Sequence, residues 1–183
     1  MPEQQTIPLV IFTGPVSATE PERWVGLATR ASTLDLVARA TEVPSLRPIV
    51  VVTSGITGLE ELASLPADLL PDPPGVPFHF GHRLRAVAEQ YGFSRLIYIG
   101  GGAAPLLTPA ALAALAARGA ALEYGIITNN VYSTDFAALA PVRALATIDL
   151  PSTDNDLAWR LRAAGLPAES LPATAATRLD LDT

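Results

Sequence analysis

Residues 95–119 read RLIYIGGGAAPLLTPAALAALAARG, and this stretch decides the fold. Leu96, Ile97, Tyr98 and Ile99 form an unbroken apolar run of strand-forming residues that ends in three glycines. A strand apolar at consecutive positions is buried on both faces, the pattern of a parallel sheet. Thr108 and Pro109 then mark a helix start. A threonine at the cap accepts from an orphan amide of the first turn, and proline has no amide to leave unsatisfied there. Leu112, Leu115 and Ala116 share one helical face, and Gly119 is expected at the C-terminal cap. A buried strand followed by an amphipathic helix is half of a right-handed crossover.

The same unit recurs along the chain. Further apolar runs lie at Pro8–Gly14 (PLVIFTG), Arg47–Gly55 (RPIVVVTSG) and Glu123–Asn130 (EYGIITNN), with a fifth strand expected within Ala144–Leu150. Helical patterns fall between them. One covers Ser32–Val43, extendable back to Glu20–Trp24 and stopped by Pro44; others are Arg83–Tyr91 and Asp154–Ala164, the last closed by Gly165. This alternation predicts one α/β domain over 1–183: three layers around a doubly wound, mostly parallel, Rossmann-like sheet. Leu65–Pro77 (LPADLLPDPPGVP) is expected to be an ordered loop or flap over that sheet.

Composition removes several function classes. All twelve basic residues are arginine, so no phosphate-loop lysine or Schiff base exists. There is no cysteine, hence no thiolate nucleophile, zinc ribbon or iron–sulfur cluster. Net charge is −6 and the arginines are scattered, which argues against nucleic acid or an anionic membrane as partner. No apolar run approaches the roughly 18 to 20 residues of a membrane span, and the first residues are not a basic signal region. A cytoplasmic protein acting on a small molecule, with or without a protein partner or self-association, is the expectation.

Ligands of open parallel sheets bind outside the carboxyl ends of the strands. Here those ends are Thr13-Gly14, Thr53-Ser54-Gly55, Gly100-Gly101-Gly102 and Thr128-Asn129-Asn130. Hydroxyls, amides and glycine backbone make a rim suited to a nucleotide or sugar; the same residues also punctuate strand ends in any α/β protein. Two successive asparagines are poor core material, so Asn129 and Asn130 are expected to face the cleft, with Asp135 nearby; the alternative is an Asx turn. The dinucleotide fingerprint, the phosphate-binding loop and the G-x-S-x-G elbow are all absent. His79 and His82 sit three apart before a helix, more readily packed or exposed than metal-bound. Asp154 and Asp156 fall at an expected helix start, where capping is the simpler role. Asp180 and Asp182 alternate with leucine in RLDLDT, so an extended chain would turn both to one side, where they suit a hard cation such as magnesium.

Three stretches together resemble the nucleotidyltransferase branch of the glycosyltransferase-A-like fold, in particular the molybdenum-cofactor guanylyltransferase-like and phospholactate guanylyltransferase-like proteins. They are IYIGGGAAPLLTPAALAAL (Ile97–Leu115), similar to a strand, Gly-Asp-x-Pro-Leu turn and Thr/Ser-Pro-capped helix; DNDLAWRLRAAGLPAESLP (Asp154–Pro172); and RLDLDT, similar to a closing Asp-x-Asp-Thr-Pro motif. The resemblance implies a nucleotide or nucleotide-sugar site at Thr13, Gly14, Ser17, Arg23, Thr53, Ser54, Gly100, Gly101, Gly102, Asn129 and Asn130. Arg30 is the other arginine available to the phosphates. It further implies magnesium at Asp180 and Asp182, and transfer of a nucleotidyl group to a small phosphorylated acceptor. Two departures point to an alternative, a catalytically silent binding or assembly module. The loop after the first strand, TGPVSATEPERW, has no lysine, and alanines 103 and 104 stand where the turn would carry its metal-binding Asp.

Overall fold

In a computed structural model, residues 5–16 and 19–181 are described. Seven strands form one sheet in the order β3-β2-β1-β4-β6-β5-β7. They are β1 (Ile7–Thr13), β2 (Leu46–Thr53), β3 (Asp68–Pro71), β4 (Leu96–Gly100), β5 (Gly125–Thr128), β6 (Phe136–Ala140) and β7 (Ala168–Ser170). Only the pairs made by β6, with β4 and β5, are antiparallel. The helices are α1 (Glu20–Thr41), α2 (Phe80–Tyr91), α3 (Pro109–Ala121), α4 (Leu157–Ala163) and α5 (Ala175–Arg178). The three-layer, mostly parallel α/β architecture is as the sequence predicts.

Side-chain alternation along each strand divides the core in two. Leu9, Ile11, Ile49, Val51, Ile97, Ile99 and Ala138 pack with α1 and α3, through Leu36, Val37, Leu112 and Ala116. Their strand neighbours Val10, Val50, Val52, Leu96, Tyr98 and Leu139 pack with α2 and α4, through Leu84, Val87, Leu157 and Leu161. Both faces of the central strands are therefore apolar, which is why they read as continuous hydrophobic blocks. No helix among the described residues is long and apolar enough to cross a membrane.

Three local expectations are corrected. No strand forms within Ala144–Leu150; Val142–Thr147 is a 3-10 turn, and the strand of this region is β6, FAALA. Its alanines carry little strand propensity, yet small size is what the site demands, since a Cβ on Gly119 of α3 would stand 3.0 Å from Ala138 Cβ. Gly119 is accordingly not a cap; α3 runs on to Ala121, and Gly119 lets it lie close on β1 and β6. Helix α4 starts at Leu157, so Asp154 stands before it in a loop, and Asp156 at the N-cap makes no side-chain cap bond. The proline-rich stretch holds the edge strand β3 and then the flap expected of it.

Candidate functional site: a cleft over the strand ends

The carboxyl ends of β1, β2 and β4 open into a cleft of 570 Å³, a size suited to a small molecule. Thr13, Gly14 and Pro15 after β1, Ser54 after β2 and Gly100 of β4 form its floor. One wall is the flap, with Asp72, Pro73, Pro74, Gly75, Val76 and Phe78; the other is Ser152, Thr153 and Asp154. Phe12 and Phe80 fill the base, their ring centroids 5.2 Å apart, and Phe78 lies edge-on to Phe12 at 6.3 Å. The flap is held to α2 by Arg83, which donates from Nε to Asp72 Oδ1 at 2.9 Å and from Nη2 to the Pro71 carbonyl at 2.8 Å.

Of the expected site residues, Thr13, Gly14, Ser54 and Gly100 line this cleft. Ser17 and Asp182 lie outside the described residues. Arg23 is exposed on the first turn of α1, its guanidinium carbon 5.9 Å from the centre of its neighbour Trp24's ring. Arg30 is only 2% exposed. It donates to the carbonyls of Gly14 at 3.0 Å, Gly55 at 2.9 Å and Thr57, so its charge braces two loops instead of meeting phosphates. Thr53 is buried too, its hydroxyl donating to the Gly55 carbonyl at 2.7 Å.

The glycine run is a packing seam beyond its first member. A Cβ on Gly101 would lie 2.5 Å from Thr33 Oγ1 of α1 and 3.0 Å from the Phe12 carbonyl; one on Gly102 would lie 2.9 Å from the Leu181 carbonyl. The expectation that Asn129 and Asn130 face the cleft is corrected. Asn129 is 1% exposed; its Oδ1 accepts from the amides of Asp135 and Phe136 at 3.0 and 3.3 Å, and its Nδ2 donates to Asp135 Oδ2 at 2.6 Å. Asn130 Oδ1 accepts from the Tyr132 amide at 3.2 Å, an Asx turn. Both asparagines close the β5–β6 hairpin, Asn129 satisfying its inner amides and Asn130 an exposed turn amide.

Asp154 is the residue that sequence reasoning misplaced. Its Oδ2 lies over Gly100, 3.5 Å from where a Cβ would be. Burial and the nearby charges of Asp135 and Asp180 push its carboxyl up to about 7, against opposing backbone hydrogen bonds. Tyr98 stands beneath this group, fully buried, and burial with the charges of Asp154 and Asp135 raises its phenol well above the usual range. The hydroxyls of Tyr98 and Thr13 are both buried without a hydrogen-bond partner among the described residues.

Of the two carboxylates that the resemblance assigns to magnesium, Asp180 is described and Asp182 is not. Asp180 pairs by an antiparallel bridge with Ala103, which offers a methyl where the resemblance expects a carboxylate. No three His, Asp or Glu side chains among the described residues are grouped to hold a metal ion. His79 and His82, their ring centroids 4.2 Å apart and planes tilted by 53°, line a second cavity of 420 Å³ behind the flap.

No family model matches this sequence, and no curated protein is similar to it at a significant level. Its architecture is nevertheless shared with many solved structures. The cytidylyltransferase of Leptospira borgpetersenii serovar Hardjo-bovis aligns with a TM-score of 0.66 at 13% identity, over 97% of this chain and 78% of that one. A protein of Aquifex aeolicus VF5 aligns with 0.68 at 10%, over 98% and 95%. CMP:2-keto-3-deoxy-manno-octonic acid synthetase complexed with CTP aligns with 0.61 at 12%, over 92% and 90%. These likenesses show the fold: a mostly parallel α/β sheet architecture of the glycosyltransferase-A-like kind, shared with these structures.

Proposed function

We propose that the cleft binds a nucleotide or nucleotide sugar over the ends of β1, β2 and β4, against Thr13, Gly14, Ser54 and Gly100, and that the chain is a binding or assembly module that does not transfer a nucleotidyl group. One observation carries the second half: no arginine lines the cleft among the described residues, and the chain has no lysine to take its place. Nucleotidyl transfer depends on neutralising charge that develops on phosphoryl oxygens, by basic side chains or metal. Asp154 brings a carboxyl with no ion pair among the described residues instead, and Asp72 is matched by Arg83. The place of the cleft supports the first half, because the topology fixes where ligands sit in such sheets.

Equilibrium dialysis tests binding, with CTP first because one structural neighbour holds it, and GTP second on the guanylyltransferase resemblance. A ligand bound only by the folded state also raises the melting temperature. Binding without pyrophosphate release, with or without magnesium and a sugar phosphate or phospho-acid acceptor, is the expected result. Steady pyrophosphate release would restore the enzyme reading.

A further inference from the structure

Resting on that reading, we infer that the portion of the ligand held in the cleft is uncharged, a nucleoside's planar ring and sugar hydroxyls, and that added phosphates weaken binding. The apolar half of the site suits a ring. Phe78 is 55% exposed and Val76 63%, both on the cleft wall. Large apolar side chains left open to water on a concave wall gain by being covered, and an aromatic face stacks on any base. Pro73, Pro74 and Pro77 stiffen the flap that presents them, and the Arg83–Asp72 pair anchors it, so little ordering is needed on binding.

The polar half suits hydroxyls. Thr13 turns its buried side chain toward α1, on the same face of β1 as Leu9 and Ile11, while Ser54 on the cleft floor is exposed and offers its hydroxyl to a ligand. Across from it Asp154 forms no ion pair among the described residues and offers an acceptor to sugar hydroxyls.

Among the described residues, Arg30, Arg83 and the N-termini of α1 and α2 offer phosphate the opposite situation. Arg30 is committed to loop carbonyls and Arg83 to Asp72. The N-terminus of α1 carries Glu20 and Glu22 in its first turn, so its positive end is already complemented by carboxylates. At the N-terminus of α2 the amides of Phe80 and Gly81 donate to the carbonyls of Ser152 and Pro151, each at 3.0 Å. Anion binding at helix ends needs free amides. Asp154, with Asp135 and Asp180 near it, makes the potential at the far wall negative.

Isothermal titration at pH 8 and near-physiological salt tests this with adenosine, guanosine, cytidine and uridine beside their 5′-mono- and triphosphates, with and without magnesium. For the base that binds best, the nucleoside is expected to bind at least as tightly as its triphosphate, without help from magnesium. Removing the exposed ring in Phe78→Ala, a change that leaves the core intact, is expected to weaken the nucleoside about tenfold. Asp154→Asn is expected to narrow the gap between nucleoside and triphosphate. A triphosphate tenfold tighter than its nucleoside overturns this inference while leaving the nucleotide-binding reading standing. Failure of all twelve probes overturns both.

Discussion

Arg30 Nη2 of helix α1 donates to the carbonyl of Gly14, at the end of β1, over 3.0 Å. Nη1 of the same guanidinium reaches the carbonyls of Gly55 and Thr57 beyond β2. One buried cation thus fixes the relative height of the two loops that floor the cleft. Arg30→Met removes the donors and leaves loop carbonyls without partners, at a cost of roughly 2–4 kcal/mol. Urea denaturation measures it, and a change below about 0.5 kcal/mol, the scale of an ordinary surface substitution, would refute the bracing role.

Gly101 is where α1, β1 and the turn after β4 meet. In Gly101→Ala the new methyl would have to displace Thr33 Oγ1 and press on the Phe12 carbonyl. Overpacking of this kind destabilises by roughly 1–3 kcal/mol. Pairing it with Thr33→Ala removes the nearer clash but not the backbone one, so partial recovery in the double mutant is expected.

The hairpin asparagines make a separate case. Asn129→Ala leaves the amides of Asp135 and Phe136 buried without their acceptor, with an expected loss of about 1–3 kcal/mol. Asn130→Ala, half-buried and holding a single turn amide, should cost less. Melting temperature should fall for Asn129→Ala while the folded fraction keeps its ligand affinity. Weakened binding at an unchanged melting temperature would return these residues to the site.

Asp154 makes stability depend on pH. Burial, with the charges of Asp135 and Asp180, pushes its carboxyl up to about 7 in the folded protein from an ordinary value of 3.8. Between these values the folded state holds more protons than the unfolded one, so Asp154's contribution is full below about pH 4 and is lost as pH rises through 7. The slope attributable to this residue approaches about 1.4 kcal/mol per pH unit at its steepest. Asp154→Asn removes that slope, so the variant gains on the wild type as pH rises from 4 to 7. The groups acting on Asp154 are Asp135, Asp180 and the Tyr98 phenol. Parallel stability curves for the two proteins over that range would contradict the assignment.

What was legible in the sequence follows from what the sheet demands. Strands β1, β2 and β4 carry β-branched and aromatic residues on both faces, so local composition and tertiary burial agree. Strand β6 was hidden because Phe136–Ala140 must be small to admit α3, and small residues read as helix. Thr13, Gly14, Ser54 and Gly100 could be found because topology alone places strand ends at the cleft. Phe78, Val76 and Asp72 could not, since nothing local says over which strands a proline-rich flap folds. Asp154 looked like a cap because it precedes a helix; its role depends on Asp135 and Asp180, contributed from 19 residues before it and 26 after it in the chain. Asn129 shows the converse, a polar side chain at a strand end that is consumed by its own hairpin.

The most direct test of the cleft as the ligand site is amide chemical-shift mapping of the isotopically labelled protein, titrated with the best-binding nucleoside or nucleotide. The structure predicts saturable shifts concentrated at Gly14, Ser54, Val76, Phe78, Gly100 and Thr153, with Asn129 and Asn130 unmoved. Shifts centred on the β5–β6 hairpin, on the second cavity at His79 and His82, or nowhere at millimolar ligand would contradict it.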